Sequence, residues 1–315
     1  DSAAATEAIH ASLDAGVTLI DTAPAYGLGA SEQLVGAALK GRRHEAVIAT
    51  KCGLVWHTQQ GTHFFDEDGH PVHRHLGRAS IFHEAEESLK RLQTDYIDLY
   101  YAHRDDAETP LEETLSAFDD LIRQGKVSYI GFSEWNAKQI SDALKIQDAR
   151  SYNRFVSSQP QYSALWRVIE SEVVPLSKKE GIGQIVWSPI AQGVLTGKYK
   201  PGAKPPTGSR ATDKKSGAKM ISRWLRDEVL EAVQKLQPVA DSVGLTMSQL
   251  AIAWVLQNDN VSSAIMGATK PSQVKENVKA SGVKLDASVM SAIDSALGTL
   301  PERDPKQNIS PNPRA

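Results

Sequence analysis

Short apolar runs alternate along the chain with segments in which apolar and polar residues recur at helical spacing. The apolar runs predict strands at residues 17–20, 46–50, 96–102, 127–132, 155–158, 183–187 and 263–266. The amphipathic segments predict helices at residues 5–15, 31–39, 82–92, 111–123, 137–146, 172–179, 226–242, 246–257 and 271–280. Because strands and helices alternate, the strands are expected to be parallel and to lie in one sheet covered by helices.

This alternation predicts an α/β fold of the TIM-type (β/α)₈ barrel class. The main alternative is an open doubly wound sheet, but no Gly-x-Gly-x-x-Gly motif follows a predicted strand, since Gly27-Leu28-Gly29 continues without a third glycine. A closed barrel has eight strands, whereas the pattern gives seven and begins with a helix. We therefore expect the first barrel strand to precede residue 1.

The length of the chain suits one large core. With 315 residues, of which 41% are hydrophobic, a single domain over residues 1–315 is expected. A polar stretch rich in Gly, Pro and Lys predicts a long loop near residues 198–218, and a C-terminal tail is expected from about residue 299.

Composition narrows the class of partner. The net charge is -3 and no long basic run occurs, which argues against nucleic acid and against an anionic membrane surface. No apolar run approaches the roughly 20 residues that cross a bilayer. The single cysteine, Cys52, cannot form an internal disulfide, as is typical of a reducing compartment. We expect a cytoplasmic monomer that acts on a small molecule.

Polar side chains end three successive predicted strands. Asp21, Lys51 and His103 stand at these ends, and Tyr26 lies in the loop after the first of them. Because the carboxyl ends of barrel strands meet at one rim, the four are expected to converge. An ammonium group stabilises a nearby phenolate, so Lys51, kept charged by Asp21, would make Tyr26 a better proton donor, while His103 orients a carbonyl. Each residue alone is more often a cap or an edge residue, but together they favour carbonyl reduction.

Four segments resemble the aldo-keto reductase family: DTAPAYG at 21–27, TK at 50–51, IDLYYAH at 97–103 and GKVSYIGFS at 125–133. The resemblance extends from about residue 7 to the helix near residue 294. It implies a (β/α)₈ barrel whose first strand precedes this chain, and an enzyme that transfers hydride reversibly between a nicotinamide and an aldehyde or ketone. The residues that match the family's catalytic tetrad are Asp21, Tyr26, Lys51 and His103, with the tyrosine as general acid.

The same resemblance implies a nicotinamide dinucleotide bound without a Rossmann motif. Ser133 and Gln159 match positions that hold the carboxamide, and Trp187 matches the aromatic on which the nicotinamide ring stacks. Much of the family has asparagine where this chain has Glu134, and because a carboxylate cannot donate to the carboxamide oxygen, Glu134 is expected to point elsewhere.

Two further segments complete the implied cofactor site. The loop that resembles the family's pyrophosphate cover contributes Ser188, Pro189, Ile190, Gly193, Leu195, Lys198 and Arg210. The segment that resembles the adenosine-end signature contributes Gly267, Thr269, Lys270, Gln273, Glu276 and Asn277. Lys270 would favour a 2′-phosphate, so NADP(H) is expected to be preferred over NAD(H).

The sequence is also compatible with two other functions. The potassium-channel beta subunits also resemble this family and share the Trp187-Ser188-Pro189 segment, which implies a nucleotide-binding regulatory or redox-sensing subunit with little turnover. They differ at the position of His103, so its presence here favours turnover. A Schiff-base aldolase would use Lys51 as nucleophile, but Asp21 beside it would keep the amine charged.

A histidine-rich segment at residues 57–75 has no zinc-type spacing, and no metal site is predicted from it. A polar hairpin beside the substrate pocket is the preferred interpretation. Trp56 and Trp135, both just past strand ends, are candidates to line that pocket. Cys52 is interpreted as a packing residue.

Overall fold

A computed structural model of the protein describes residues 2–213 and 217–308, and in this part of the chain one sheet has seven strands. The strands are β1 (Leu19–Asp21), β2 (Val47–Cys52), β3 (Leu54–Val55), β4 (Thr62–Glu67), β5 (His70–Arg74), β6 (Ile97–Ala102), β7 (Val127–Ser133), β8 (Ser157–Gln159), β9 (Gly183–Val186) and β10 (Val261–Ala264). The large sheet has the order β1-β2-β6-β7-β8-β9-β10, and all its pairs are parallel. The prediction of seven parallel strands is confirmed. The doubly wound alternative is wrong, because the strand order never reverses.

Helices cover the outside of this sheet. They are α1 (Ser2–Asp14), α2 (Ala30–Ala38), α3 (Arg78–Leu92), α4 (Leu111–Arg123), α5 (Ala137–Arg150), α6 (Val173–Glu180), α7 (Gly217–Ile221), α8 (Asp227–Gln234), α9 (Leu236–Ser242), α10 (Met247–Val255), α11 (Pro271–Val278) and α12 (Ala287–Leu297). Helix α1 packs against both α2 and α11, so the sheet curls until its two edge strands lie under neighbouring helices. The fold is a TIM-type α/β barrel. The eighth strand, expected before residue 1, stays a prediction.

Alternate residues along β6 enter two different cores. Tyr100 joins the large cluster between the sheet and the helices, whereas Leu99 and Tyr101 join a cluster with Ala49 and Ile185 inside the barrel. Lys51 follows Ala49 by two positions on β2 and therefore points into the same interior, nearer to the carboxyl ends of the strands. The pleat of one strand thus directs Lys51 to the barrel's carboxyl rim.

The predicted hairpin is present as a small antiparallel sheet of order β3-β5-β4 between β2 and α3. Leu54 and Val72 on one face of it pack against Ala25, which belongs to the loop that follows β1. Trp56 and Phe65 pack against the same cluster. The hairpin therefore borders the loop that carries Tyr26.

The helix predicted at residues 226–242 is in fact two helices, α8 and α9, which meet at Lys235. Pro238 explains the break, because a proline has no N–H to donate within a continuous helix but is tolerated in the first turn of a new one. The loop predicted near residues 198–218 contains a 3₁₀ turn at Arg210–Thr212 and leads into α7. Residues 214–216 of that loop and residues 309–315 of the predicted tail lie outside the described residues.

Candidate active site

A buried ion pair joins the ends of β1 and β2. The Lys51 side chain is 0% exposed, and its Nζ lies 3.0 and 2.8 Å from the two carboxylate oxygens of Asp21 and 2.7 Å from the carbonyl oxygen of Thr22. Burial alone would lower the pKa of Lys51, but the Asp21 carboxylate and the Tyr26 phenol outweigh it, so the pKa is raised. Lys51 is therefore an ammonium ion, the opposite of what a Schiff-base nucleophile needs.

Tyr26 stands over this pair in the loop after β1. Its ring centroid is 5.0 Å from Lys51 Nζ and 5.8 Å from the ring centroid of His103, with the two rings nearly perpendicular. The residue is 44% exposed, whereas Lys51 and His103 are buried. A hydrogen bond from Tyr26 N to the carbonyl oxygen of Ala23, at 3.1 Å, closes the turn that holds it. A small molecule can thus reach the phenol from solvent.

His103 directly follows β6, and its position is fixed by a 2.8 Å hydrogen bond from its backbone N–H to the carbonyl oxygen of Cys52. Burial lowers the pKa of His103 well below its ordinary value, and the positive charges of Lys51 and Arg104 lower it further. The imidazole is therefore neutral at physiological pH. A neutral imidazole can donate one hydrogen bond to a carbonyl oxygen without adding a charge.

The turn after β2 depends on a buried acid that the sequence did not single out. Both carboxylate oxygens of Glu84, on α3, accept from the backbone N–H of Gly53, at 3.0 and 3.1 Å. Burial raises the pKa of Glu84 to about 8. Gly53 has a φ of +89°, and a Cβ there would lie 2.4 Å from Leu76 Cδ2, so only glycine fits. Cys52, just before it, is 1% exposed and packs in the core, as expected.

The two residues predicted to hold the carboxamide, Ser133 and Gln159, are hydrogen-bonded to each other, and Gln159 is also bonded to Asp21. Ser133 Oγ donates to the carbonyl oxygen of Gln159 at 2.8 Å and accepts from Arg104 Nη1 at 3.1 Å. Gln159 Nε2 donates to Asp21 Oδ1 at 2.7 Å. The ends of β1, β2, β7 and β8 thus share one hydrogen-bond network. A ligand that engages Ser133 or Gln159 would lie close to Lys51.

Glu134 is oriented toward Trp187. Its Oε1 accepts from Trp187 Nε1 at 2.7 Å and from the backbone N–H of Gln161 at 2.6 Å. The residue is buried and has a φ of +60°, a conformation that turns the chain sharply after β7. The carboxylate therefore fixes the plane of the indole at the end of β9. A fixed indole face suits the stacking of a flat ring.

The segment after Trp187 forms a tight loop. Ser188, Gln192 and Gly193 all have positive φ values, and the buried Oε1 of Gln192 has no hydrogen bond. A Cβ on Gly193 would lie 3.2 Å from Lys198 Nζ, so the lysine side chain lies directly over this backbone. Leu195 is buried in the core and offers no polar group. Of the other predicted residues of this loop, Pro189 is buried, Ser188 and Ile190 are half-buried, and Lys198 and Arg210 are exposed.

The segment after β10 lies beside this loop, because the backbone N–H of Ile265 donates to the carbonyl oxygen of Val186 at 2.8 Å. Gln273 Oε1 accepts from the backbone N–H of Thr269 at 2.7 Å, and Lys270 is the exposed residue that precedes the first turn of α11. The predicted residues here comprise exposed Gly267, Thr269, Lys270, Gln273 and Glu276 and half-buried Asn277.

These three regions fit an elongated anionic dinucleotide. The first region offers polar groups near Ser133, the second an indole with a fixed plane, and the third a tight loop. The exposed side chains of Lys198 and Lys270 have no carboxylate partner among the described residues. A dinucleotide carries a flat polar ring, a pyrophosphate and a ribose, and the regions follow that order. Phosphate binding would give both lysines a partner.

Trp135 does not line a pocket, so that interpretation is wrong. It is 1% exposed and stacks on Phe132, with ring centroids 5.2 Å apart, inside the sheet–helix core. The rings of His57 and His83 are 4.2 Å apart, but over the described ranges no three His, Cys, Asp or Glu side chains are grouped to hold a metal ion. No helix in the described part of the chain combines the length and the apolar character needed to span a bilayer.

Comparisons with known proteins agree on one family. The profile described as "Aldo/keto reductase family" matches residues 1–297. A protein of Arabidopsis thaliana named as a probable voltage-gated potassium channel subunit beta is 40% identical over 296 residues, which cover 92% of this chain and 86% of that protein. A protein of Schizosaccharomyces pombe, named as a putative subunit of the same kind, is 40% identical and covers 91% of this chain and 82% of its own length. The solved structure of a glycerol dehydrogenase from Gluconobacter oxydans superposes with a TM-score of 0.78 at 31% identity, covering 93% of this chain and 84% of that one.

Proposed function

Because the chain belongs to the aldo/keto reductase family, we propose that it is an oxidoreductase that uses NADP(H) to interconvert aldehydes or ketones with the corresponding alcohols. The family and the dehydrogenase neighbour support an oxidoreductase. The observation that carries the finer proposal is the buried Lys51–Asp21 pair, with the exposed phenol of Tyr26 above it and the neutral imidazole of His103 beside it.

When bound, the nicotinamide supplies or accepts the hydride. Tyr26 gives its phenolic proton to the carbonyl oxygen as negative charge develops there, and takes it back in the oxidation of an alcohol. The Lys51 ammonium stabilises the phenolate that remains, and Asp21 keeps Lys51 charged. His103 donates a hydrogen bond to the same carbonyl oxygen and so fixes its orientation.

The residues that would hold the dinucleotide are those that lie along the ends of β7 to β10. Ser133 and Gln159 would bind the carboxamide, and the indole of Trp187, held by Glu134, would support one face of the nicotinamide ring. Lys198 and Arg210 would bind the pyrophosphate. Lys270 would bind a 2′-phosphate, which is the basis for proposing NADP(H) over NAD(H).

A regulatory or redox-sensing subunit with little turnover is the second candidate. It is favoured by the names of the Arabidopsis and Schizosaccharomyces relatives, which describe potassium channel subunits. The neutral imidazole of His103 at the centre of the site favours turnover, because it can donate a hydrogen bond to a carbonyl oxygen.

The deciding experiment measures NADPH binding and NADPH oxidation separately. Binding is followed by fluorescence titration, and oxidation by absorbance with a panel of small aldehydes and ketones. We expect binding together with turnover of at least one class of carbonyl. Binding without oxidation across the whole panel would favour the regulatory candidate. An absence of binding would count against both.

A further inference from the structure

We propose that the substrate of this site carries a carboxylate or phosphate group beside its carbonyl, and that Arg74 and Arg104 bind this anion. The inference rests on the proposed function, since it names the class of carbonyl compound that the same site reduces. It is carried by two arginine side chains near Tyr26, each of which has a buried Nε–H without an acceptor.

Arg104 directly follows His103 at the carboxyl end of β6. Its Nη1 donates to the carbonyl oxygen of His103 at 2.7 Å and to Ser133 Oγ at 3.1 Å, which fixes one edge of the guanidinium. Its Nε is buried and makes no hydrogen bond. Because Arg104 follows His103 and contacts Ser133, its guanidinium lies beside the proposed reaction site.

Arg74 approaches the same place from the hairpin. It pairs with Leu54 on the neighbouring strand, and Leu54 packs against Ala25, the residue before Tyr26. Residues directly opposite in an antiparallel pair point to the same face, so Arg74 points toward the Tyr26 loop. Its guanidinium carbon lies 5.3 Å from the centroid of the Phe64 ring, and its Nε is buried without a hydrogen bond.

The backbone brings the two arginines together. The carbonyl oxygen of Cys52 accepts from the N–H of His103 at 2.8 Å, and that of Gly53 accepts from the N–H of His75 at 3.2 Å. Arg74 and Arg104 are each adjacent in sequence to one of these donors, so both flank the same short turn after β2. Burial lowers the pKa of Arg104, and the positive charge of Arg74 lowers it further, as expected for like charges that lie close together.

No carboxylate among the described residues forms an ion pair with either arginine. Lys51, in contrast, forms an ion pair with Asp21. The negative charge of Glu134 stabilises the charged form of Arg104, but Glu134 Oε1 already accepts hydrogen bonds from Trp187 and Gln161. Both arginine residues are half-buried, and a partly buried cation without an ion-pair partner is costly, so a ligand that supplies the anion gains binding energy there. A guanidinium fork matches the geometry of carboxylate and phosphate oxygens.

This anion belongs to the substrate and not to the dinucleotide. The candidate phosphate ligands Lys198, Arg210 and Lys270 follow β9 and β10, whereas Arg104 follows β6. Arg74 lies on the hairpin that follows β2, and it borders the Tyr26 loop. A carbonyl compound whose oxygen meets Tyr26 would therefore direct a neighbouring acidic group toward the two arginines.

The test compares matched pairs of aldehydes in the NADPH oxidation assay. One pair is 4-oxobutanoate and its uncharged methyl ester, and the other is glycolaldehyde phosphate and glycolaldehyde, so the two pairs separate a carboxylate from a phosphate source. The proteins are wild type, Arg74→Gln, Arg104→Gln and the control Arg226→Gln, which removes an exposed arginine paired with Glu228 on the outside of the barrel.

We expect wild-type kcat/KM to be about 20-fold higher for the anion than for its uncharged match in at least one pair, as charge-assisted hydrogen bonds predict. Arg74→Gln should reduce this ratio about tenfold, with a change of less than about threefold for the uncharged aldehyde. Arg74 is the decisive position because, unlike Arg104, it does not contact Ser133. A wild-type ratio near one in both pairs, or a ratio unaffected by Arg74→Gln and Arg104→Gln alike, overturns the inference.

A binding measurement separates this inference from the proposed function. The dissociation constant of succinate, with succinamide as the uncharged comparison, is measured by calorimetry in the presence of NADP⁺. Arg74→Gln should weaken succinate binding about tenfold, while Arg226→Gln leaves it unchanged. If no aldehyde is reduced but succinate binding shows this loss, the proposed function fails and the anion site stands. Equal succinate binding in wild type and Arg74→Gln overturns the anion site whatever the turnover.

Discussion

Glu134 Oε1 accepts a 2.7 Å hydrogen bond from the indole Nε1–H of Trp187, and this bond sets the orientation of the proposed nicotinamide platform. Glu134→Gln keeps an oxygen acceptor there and should bind NADPH within about threefold of wild type. Glu134→Leu leaves the indole N–H and the backbone N–H of Gln161 without an acceptor, at a cost of about 1–3 kcal/mol for each donor. We expect Glu134→Leu to weaken NADPH binding about tenfold and to lower the melting temperature.

Fluorescence titration with NADPH and thermal unfolding measure these two effects. A Glu134→Leu protein that binds NADPH as tightly as wild type would show that the plane of the Trp187 indole does not matter for binding.

Tyr26→Phe removes the phenolic hydroxyl and keeps the ring that packs near Lys51 and His103. The rate of carbonyl reduction should fall by about 10²–10⁴-fold, the usual range for the loss of a positioned general acid. NADPH binding should not change, because the hydroxyl is not among the proposed cofactor ligands. Tyr129→Phe is the matched control, since Tyr129 is an exposed tyrosine on β7. A full rate in Tyr26→Phe would rule out this tyrosine as the acid.

Lys270→Met should discriminate between the two nicotinamide dinucleotides. Removing the ammonium group should raise the KM for NADPH about tenfold, because a charge-assisted contact with the 2′-phosphate is lost, and leave the KM for NADH unchanged. Lys275→Met on the same helix is the control. Steady-state kinetics with both dinucleotides give the answer, and a parallel rise in both KM values would point to a role for Lys270 other than 2′-phosphate binding.

Glu84 should make stability depend on pH. Its pKa is about 8 in the folded protein and near 4.5 when exposed, so the folded state favours the protonated acid. The stabilising contribution is fully present below pH 4.5 and is lost as the pH rises through 8. Between pH 6 and pH 9 the wild type should lose about 2–3 kcal/mol of unfolding free energy from this group.

Glu84→Gln should remove most of this dependence of the unfolding free energy on pH. Glu87→Gln, which changes the exposed neighbouring acid on α3, should not. Denaturant unfolding at both pH values measures the difference. An equal loss in wild type and Glu84→Gln would mean that Glu84 titrates near its ordinary pKa.

Periodicity and strand ends were enough to predict the sheet and the convergence at its rim. Buried parallel strands are apolar on both faces, so they stand out as short continuous runs, and the residue after each run falls at the rim. For this reason the sequence alone predicts that Asp21, Lys51 and His103 lie together. Tyr26 could be placed near them because its loop is short.

The direction of side chains beyond the strand ends could not be predicted in this way. Trp135 was expected at the pocket, but the positive φ of Glu134 turns the chain and directs Trp135 into the sheet–helix core. The same turn brings the Glu134 carboxylate to Trp187, which is distant in sequence. Such contacts depend on how separate βα units pack against each other, so no local sequence pattern predicts them.

The roles of single charged residues are equally hard to predict from the sequence. In the sequence, Glu84 is one of several acids in an amphipathic helix, and Arg74 and Arg104 resemble solvated cations. Burial distinguishes Glu84 and partial burial distinguishes the two arginines, because the hairpin and α3 close over the turn after β2. Pro238 was a local signal that the periodic pattern obscured, and it marks the restart of the helix at α9.

Cys52 is the chain's one thiol, and it directly follows Lys51 on β2, where it is 1% exposed. Burial also raises its pKa well above the ordinary value, so the folded protein presents almost no thiolate to an alkylating reagent. Modification must therefore wait for local opening of the strand that carries Lys51. The rate at which Cys52 is alkylated in the native protein therefore measures how often the proposed catalytic strand opens.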